Sequence, residues 1–195
     1  MTDAYFDFYK LLKKYIPVTD DEWSAYSVFL RSKKVRKKTV IHSEGSVCKE
    51  VFFIRSGLLR IYFTDQEGNE KTFHFAVENT FVTDYESLLK QIPANYSIQA
   101  LEDSELLIMP ESMIRYGYDH LRYGEKLGRL LAEEYFLIFS NKVKSIYTLS
   151  PIERYNHLKE MIPSIFQRVS QHYIASYLNI SPVHLSRLKS SNPWI

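Results

Sequence analysis

A chain of 195 residues, 45% hydrophobic and 25% charged, has room for a sizeable core in one or two compact domains, which excludes a disordered or fibrous protein. Its formal net charge of +2 is too small to name a partner, so the placement of charge must carry that argument. A single cysteine, Cys48, excludes an intramolecular disulfide and cannot alone hold an iron–sulfur cluster or structural zinc. No segment approaches membrane-spanning length, and MTDAYFDFYK has no basic run ahead of an apolar stretch, so a cytoplasmic protein with no membrane partner is expected.

Two helices open the chain. The first lies near residues 3 to 15; Thr19 begins the second, with Glu22 three residues on as a capping box leading into WSAYSVFL. Residues 31 to 38, RSKKVRKK, are six-eighths basic and read as a solvated connector before a strand, with no site assigned. From Thr39 to about Met109 the signal changes to short apolar runs cut by turns, among them VFFIRSG, LLRIYFTDQEG and ELLIM. Several short strands at close spacing predict an antiparallel sandwich or barrel, with Gly45, Gly57 and Gly68 at its turns.

Residues 119 to 149 contain no proline and carry two apolar stripes. Leu127, Leu131, Tyr135 and Ile138 form one; Ala132, Phe136, Phe139, Val143 and Ile146 form the other. One stripe can cover the β-domain while the second, the expected dimer interface, meets another copy of the chain.

Residues 171 to 190, QHYIASYLNISPVHLSRLKS, have helix-turn-helix spacing. Ala175 is small where the second helix crosses, Asn179 tolerates a left-handed backbone at the turn, and Leu185 is apolar where the helices meet. Ser181 is expected to cap the second helix, with Pro182 in its first turn. After Glu160 no acid remains, while Arg168, Arg187 and Lys189 do, which is the surface that phosphates need. Arg187 is the candidate for reading guanine; Ser181 and His184 are candidates for a base edge or phosphate, Val183 for a thymine methyl, and Ser170, Gln171 and Lys189 for phosphate.

In this order, a β-roll, a long helix and a C-terminal helix-turn-helix resemble the superfamily of bacterial transcription regulators that includes the cyclic-AMP receptor protein and the fumarate-nitrate regulator. The likeness is carried by HSEGSVCKEVFFIRSGLLRIYFTDQEGNEKTFHF, by ENTFVTDYESLL and by YIASYLNISPVHLSRLK, nearly the whole chain. It implies an α+β fold: an antiparallel β-roll of the cyclic-nucleotide-binding jelly-roll type with N-terminal helices over 1–115, a long dimerisation helix over 116–149 and a DNA-binding domain over 150–195. The implied partners are double-stranded DNA with a two-fold operator and a second copy of the chain.

The chain departs from that family at the nucleotide site. Thr83 and Asp84 stand where the family has Gly-Glu, and Ala94 or Asn95 where it has a phosphate-binding Arg. A cyclic nucleotide would lose its charge-assisted hydrogen bonds, and Lys90 is the cation that remains in the loop. Thr83, Asp84, Tyr85, Lys90 and Asn95 define a candidate effector pocket whose ligand, if there is one, is unnamed. No cofactor is assigned, and His42 and His74 read as hydrogen-bonded strand residues rather than haem or metal ligands. The chain stops seven residues after Leu188, so no β-hairpin wing is expected beyond the recognition helix.

The leading expectation is a homodimeric DNA-binding regulator and not an enzyme. Alternatives are a nucleotide-responsive regulator with a divergent phosphate site, a protein-interaction module with a degenerate DNA reader, and a metal-dependent cupin, for which the histidines lack His-x-His spacing.

Overall fold

The structure, a computed structural model, describes residues 3–191. Helix α1 (Asp3–Tyr15) precedes α2 (Asp20–Ser27), whose capping box forms as expected: Thr19 Oγ1 accepts from Glu22 N at 3.2 Å, and the Glu22 carboxylate accepts from Thr19 N at 2.9 Å. Phe8 of α1 packs its ring 6.0 Å from Trp23 of α2 and 5.3 Å from Phe53, so both helices close one end of a β-sheet core.

That core lies between two four-stranded sheets. One has the order β1-β8-β3-β6, from β1 (Arg31–Val35), β8 (Ser104–Pro110), β3 (Glu50–Ser56) and β6 (Phe81–Val82), paired antiparallel throughout. The other has the order β2-β7-β4-β5, from β2 (Val40–His42), β7 (Ser97–Ala100), β4 (Leu59–Thr64) and β5 (Glu70–Ala76). Phe53, Ile54, Leu58, Leu59, Ile98 and Leu107 are fully buried between them. Gly57 turns β3 into β4 at φ 106°, and a Cβ there would collide with Ser104, so only glycine serves.

The basic run is not a connector. Arg31–Val35 is an edge strand whose first four residues are exposed and which pairs along the apolar β8, Arg31 opposite Ile108. Charge predicted solvation correctly and missed the strand, because lysines on an edge strand are a common guard against further strand pairing.

The single helix expected over 116–149 is two. Helix α4 (Glu111–His120) ends where Leu121 turns to extended backbone, and α5 (Gly124–Thr148) restarts three residues later. Gly124 sits against the Gly117 backbone, where a side chain would not fit, and this close approach sets the break.

Two compact units result. One comprises residues up to Ile61 with Phe75–Glu134; the other comprises Tyr62–His74 with the chain from Tyr135 onward. The second therefore joins the β4–β5 hairpin tip and the distal part of α5 to α6 (Pro151–Met161), α7 (Ile165–Arg168), α8 (Gln171–Tyr177) and α9 (Pro182–Ser191). Tyr155, Leu158, Ile165, Ile174, Leu178 and Leu185 supply its buried apolar centre. Among the described residues, no helix is long and apolar enough to cross a membrane.

Candidate nucleic-acid interface and effector pocket

Helices α8 and α9 meet through the residues their spacing predicts. Ala175 is fully buried, Asn179 turns at φ 54°, and Ile180 N donates back to Ala175 O at 3.0 Å. Ser181 Oγ accepts from His184 N at 3.1 Å, so the first turn of α9 is capped, and buried Leu185 seats the helix. Val183 and Arg187 are exposed on the opposite side, Val183 by 62%, and His184 at the flank and Ser181 at the cap are exposed as well. Lys189, four residues after Leu185 and on its side of the helix, is half-buried, while Ser170 and Gln171 lie exposed at the start of α8.

Two cations brace this pair from behind. The Lys142 ammonium lies 3.2 Å from the Tyr177 ring centroid and donates to Tyr177 O, while Arg154 donates from Nε to Leu178 O at 3.1 Å and from Nη1 to Leu149 O at 2.6 Å. Burial, with the Arg154 charge nearby, pulls Lys142 down to about 7. The His74 ring stands edge-on to Phe139 at 5.3 Å; burial and then the Lys142 charge push it down to about 4. Sequence reading did not single out Lys142 or Arg154, since a lone cation on a helix looks like solvated surface.

Because His74 folds neutral, with a pKa below the unfolded value of about 6.5, its contribution is intact above that value and is lost as pH falls toward 4. This residue alone should cost about 2 kcal/mol of stability between pH 7.5 and 5. Urea unfolding at both pH values is expected to show a smaller acid loss in His74→Gln; an equal loss in both proteins would mean the imidazole titrates normally.

The apolar stripe on α5 is partly as expected. Phe136, Val143 and Tyr147 are 70%, 48% and 84% exposed and fall within about 20° of one line along the helix, with Ile146 exposed and Ala132 half-buried beside it. Phe139 departs from this face, its ring 5.2 Å from Phe73 of β5, because it lies about 60° round the helix from Phe136, where the hairpin covers it. Tyr147 was missed for lack of an apolar partner one turn on.

In the roll, α3 (Tyr85–Lys90) begins at Asp84, which is 2% exposed. Asp84 Oδ1 accepts from Ser87 N at 3.0 Å and Oδ2 from Asn95 N at 3.1 Å, so the carboxylate ties the two ends of the loop together. Thr83 Oγ1 donates to Glu50 O at 2.9 Å, and Ser87 Oγ accepts from Cys48 N at 2.8 Å. Of Thr83, Asp84 and Asn95 only Asp84 is buried; Thr83 is half-buried and bonds β3 instead, and Asn95 meets Asp84 through its backbone while its side chain is exposed. Tyr85 is exposed, and Lys90 pairs with Glu86 at 2.6 Å on the surface. The hydrogen bond expected of His42 is missing at Nε2, which is buried without a partner, and burial lowers its pKa against the opposing charges of Asp84 and Glu50. Among the described residues no three His, Cys, Asp or Glu side chains gather as a metal site.

Residues 32–116 match the cyclic nucleotide-binding domain family. No curated protein matches the sequence. Among solved structures, FixK2 from Bradyrhizobium japonicum is similar at TM-score 0.72 and 15% identity over 83% of each chain. A Crp/Fnr-family protein from Eubacterium rectale is similar at TM-score 0.71 and 20% identity, over 91% of this chain and 87% of that one. The c-di-GMP-responsive regulator CLP from Xanthomonas campestris aligns at TM-score 0.67 and 12% identity over 86% and 88%. Residues 32–116 are thus similar to the cyclic nucleotide-binding domain family, in a chain whose fold is similar to those of Crp/Fnr-family structures.

Proposed function

We propose that the protein is a dimeric, DNA-binding transcription regulator of the Crp/Fnr type whose α8–α9 pair is a helix-turn-helix reader. The observation that carries this reading is the exposed face of α9, where Val183 and Arg187 stand opposite the buried Leu185, with His184 exposed at the flank, Ser181 exposed at the cap and no acid among them. A capped helix with one apolar side seated and a basic, hydroxyl-bearing side open has the form that enters a major groove. Selection of bound sequences from a random DNA pool, followed by binding at several salt concentrations, tests it. Recovery of a two-fold sequence bound with a steep salt dependence supports the reading; salt-insensitive, sequence-blind binding, or none, favours a protein-interaction module.

The roll is proposed to respond to an effector other than a cyclic nucleotide, or to none. A phosphodiester would meet the buried Asp84 carboxylate, Ala94 or Asn95 stands where the family has its phosphate-binding Arg, and Lys90 is engaged by Glu86. Calorimetry with cyclic AMP and cyclic GMP is expected to show no saturable binding at micromolar concentration. Saturable heat with either nucleotide would restore the nucleotide-responsive alternative and make Asp84→Asn the first variant to measure.

A further inference from the structure

Three consecutive residues at the end of α8 are held by three different elements. Ser176 Oγ accepts from Thr72 N at 2.8 Å and donates to Glu70 O at 3.3 Å, both on β5. Tyr177 O is held by Lys142 of α5, and Leu178 O by Arg154 of α6. Asn179, the turn that aims α9, follows at once.

The β5 tie has a specific physical cause. β5 is the outer strand of its sheet, and Glu70 and Thr72, two residues apart, turn their backbone groups to the same side. A hydroxyl that accepts from one and donates to the other satisfies both edge groups at once. Thr72 is only 4% exposed, so solvent is poorly placed to take over that role. The same hairpin tip is packed by Phe73 and His74 against Phe139 of α5.

We propose that Ser176 is a positioning residue for the DNA reader: through its hydroxyl, the β4–β5 hairpin fixes the direction in which α9 presents Val183 and Arg187. The inference rests on the DNA-reading function proposed above. The tied arrangement leaves the α9 face open, so the contact preorganises the reader and does not block it. Without the tie, the end of α8 keeps its Lys142 and Arg154 contacts and its buried side, and the cost of fixing its direction when DNA binds falls on every sequence alike.

The test compares the unmodified full chain with Ser176→Ala and Ser176→Thr, by affinity for the selected DNA, by hydrogen exchange over residues 62–74, and by thermal unfolding to confirm that each variant folds. Ser176→Ala is expected to bind about tenfold more weakly to preferred and non-preferred DNA alike, with faster exchange in the hairpin. Ser176→Thr, which keeps the hydroxyl, should restore both. Unchanged affinity and exchange in Ser176→Ala overturn the proposal, and so does equal loss in the Ala and Thr variants, because then shape and not the hydroxyl matters. If the unmodified protein binds no DNA, the DNA-reading function fails and the positioning role falls with it, whereas DNA binding with a silent Ser176→Ala variant sinks the positioning role alone.

Discussion

Phe136→Glu is expected to turn a dimer into a monomer without unfolding it. Phe136 is 70% exposed in the protomer and shares one line of α5 with Val143 and Tyr147, so nothing in the protomer's own core depends on its ring. An apolar stripe of that length, left open on a 25-residue helix, is the kind of face that a second copy covers in a two-fold pairing. Each buried aromatic anchor contributes about 2 kcal/mol, and a symmetric dimer loses two of them, so the dissociation constant should rise about a thousandfold. Facing glutamates would add to the loss. Sedimentation velocity at micromolar concentration reads the result, and circular dichroism confirms the retained fold. Phe139→Glu is the contrasting control: it places a carboxylate against Phe73 and His74 and should lower stability instead. An unmodified protein that sediments as a monomer would remove the basis for binding two half-sites together.

The difference between Phe136 and Phe139 marks how far the sequence could be read. Periodicity identifies which positions of α5 are apolar, and it places Phe136, Phe139 and Val143 on adjoining lines. It cannot say which line a hairpin from 65 residues upstream will cover. Local chemistry was more legible: Thr19 with Glu22, Ser181 with Pro182, and the left-handed Asn179 each depend on a few neighbouring residues, and each forms as the pattern predicts. The α4–α5 break escaped notice because it arises from Gly124 meeting Gly117, a contact that composition does not encode as a stop. In the effector pocket, the missing Arg was visible in sequence, but the use of Asp84 as a clasp between Ser87 and Asn95 was not, since it depends on how the loop returns. Ser176 looks like any polar helix residue until β5 is seen beside it.

Arg187→Ala and Lys189→Ala are expected to weaken DNA binding in different ways. Arg187 stands on the exposed face of α9 one turn beyond Val183, where a guanidinium fork can meet the O6 and N7 of a guanine together. Lys189 lies four residues after Leu185, on the half-buried side of α9 away from Arg187, which makes it a candidate for phosphate and not for a base edge. Removal of Arg187 should cost about 1 to 3 kcal/mol of discrimination at one base pair in each half-site. Removal of Lys189 should lower affinity for all sequences alike and reduce the salt slope by about one for each subunit's lost phosphate contact. Binding measured against a set of single-base operator variants at three salt concentrations separates the two. If Arg187→Ala also lowers affinity uniformly and leaves sequence preference intact, its guanidinium serves the backbone, and base reading passes to Ser181, Val183 and His184, which are exposed at the front of α9.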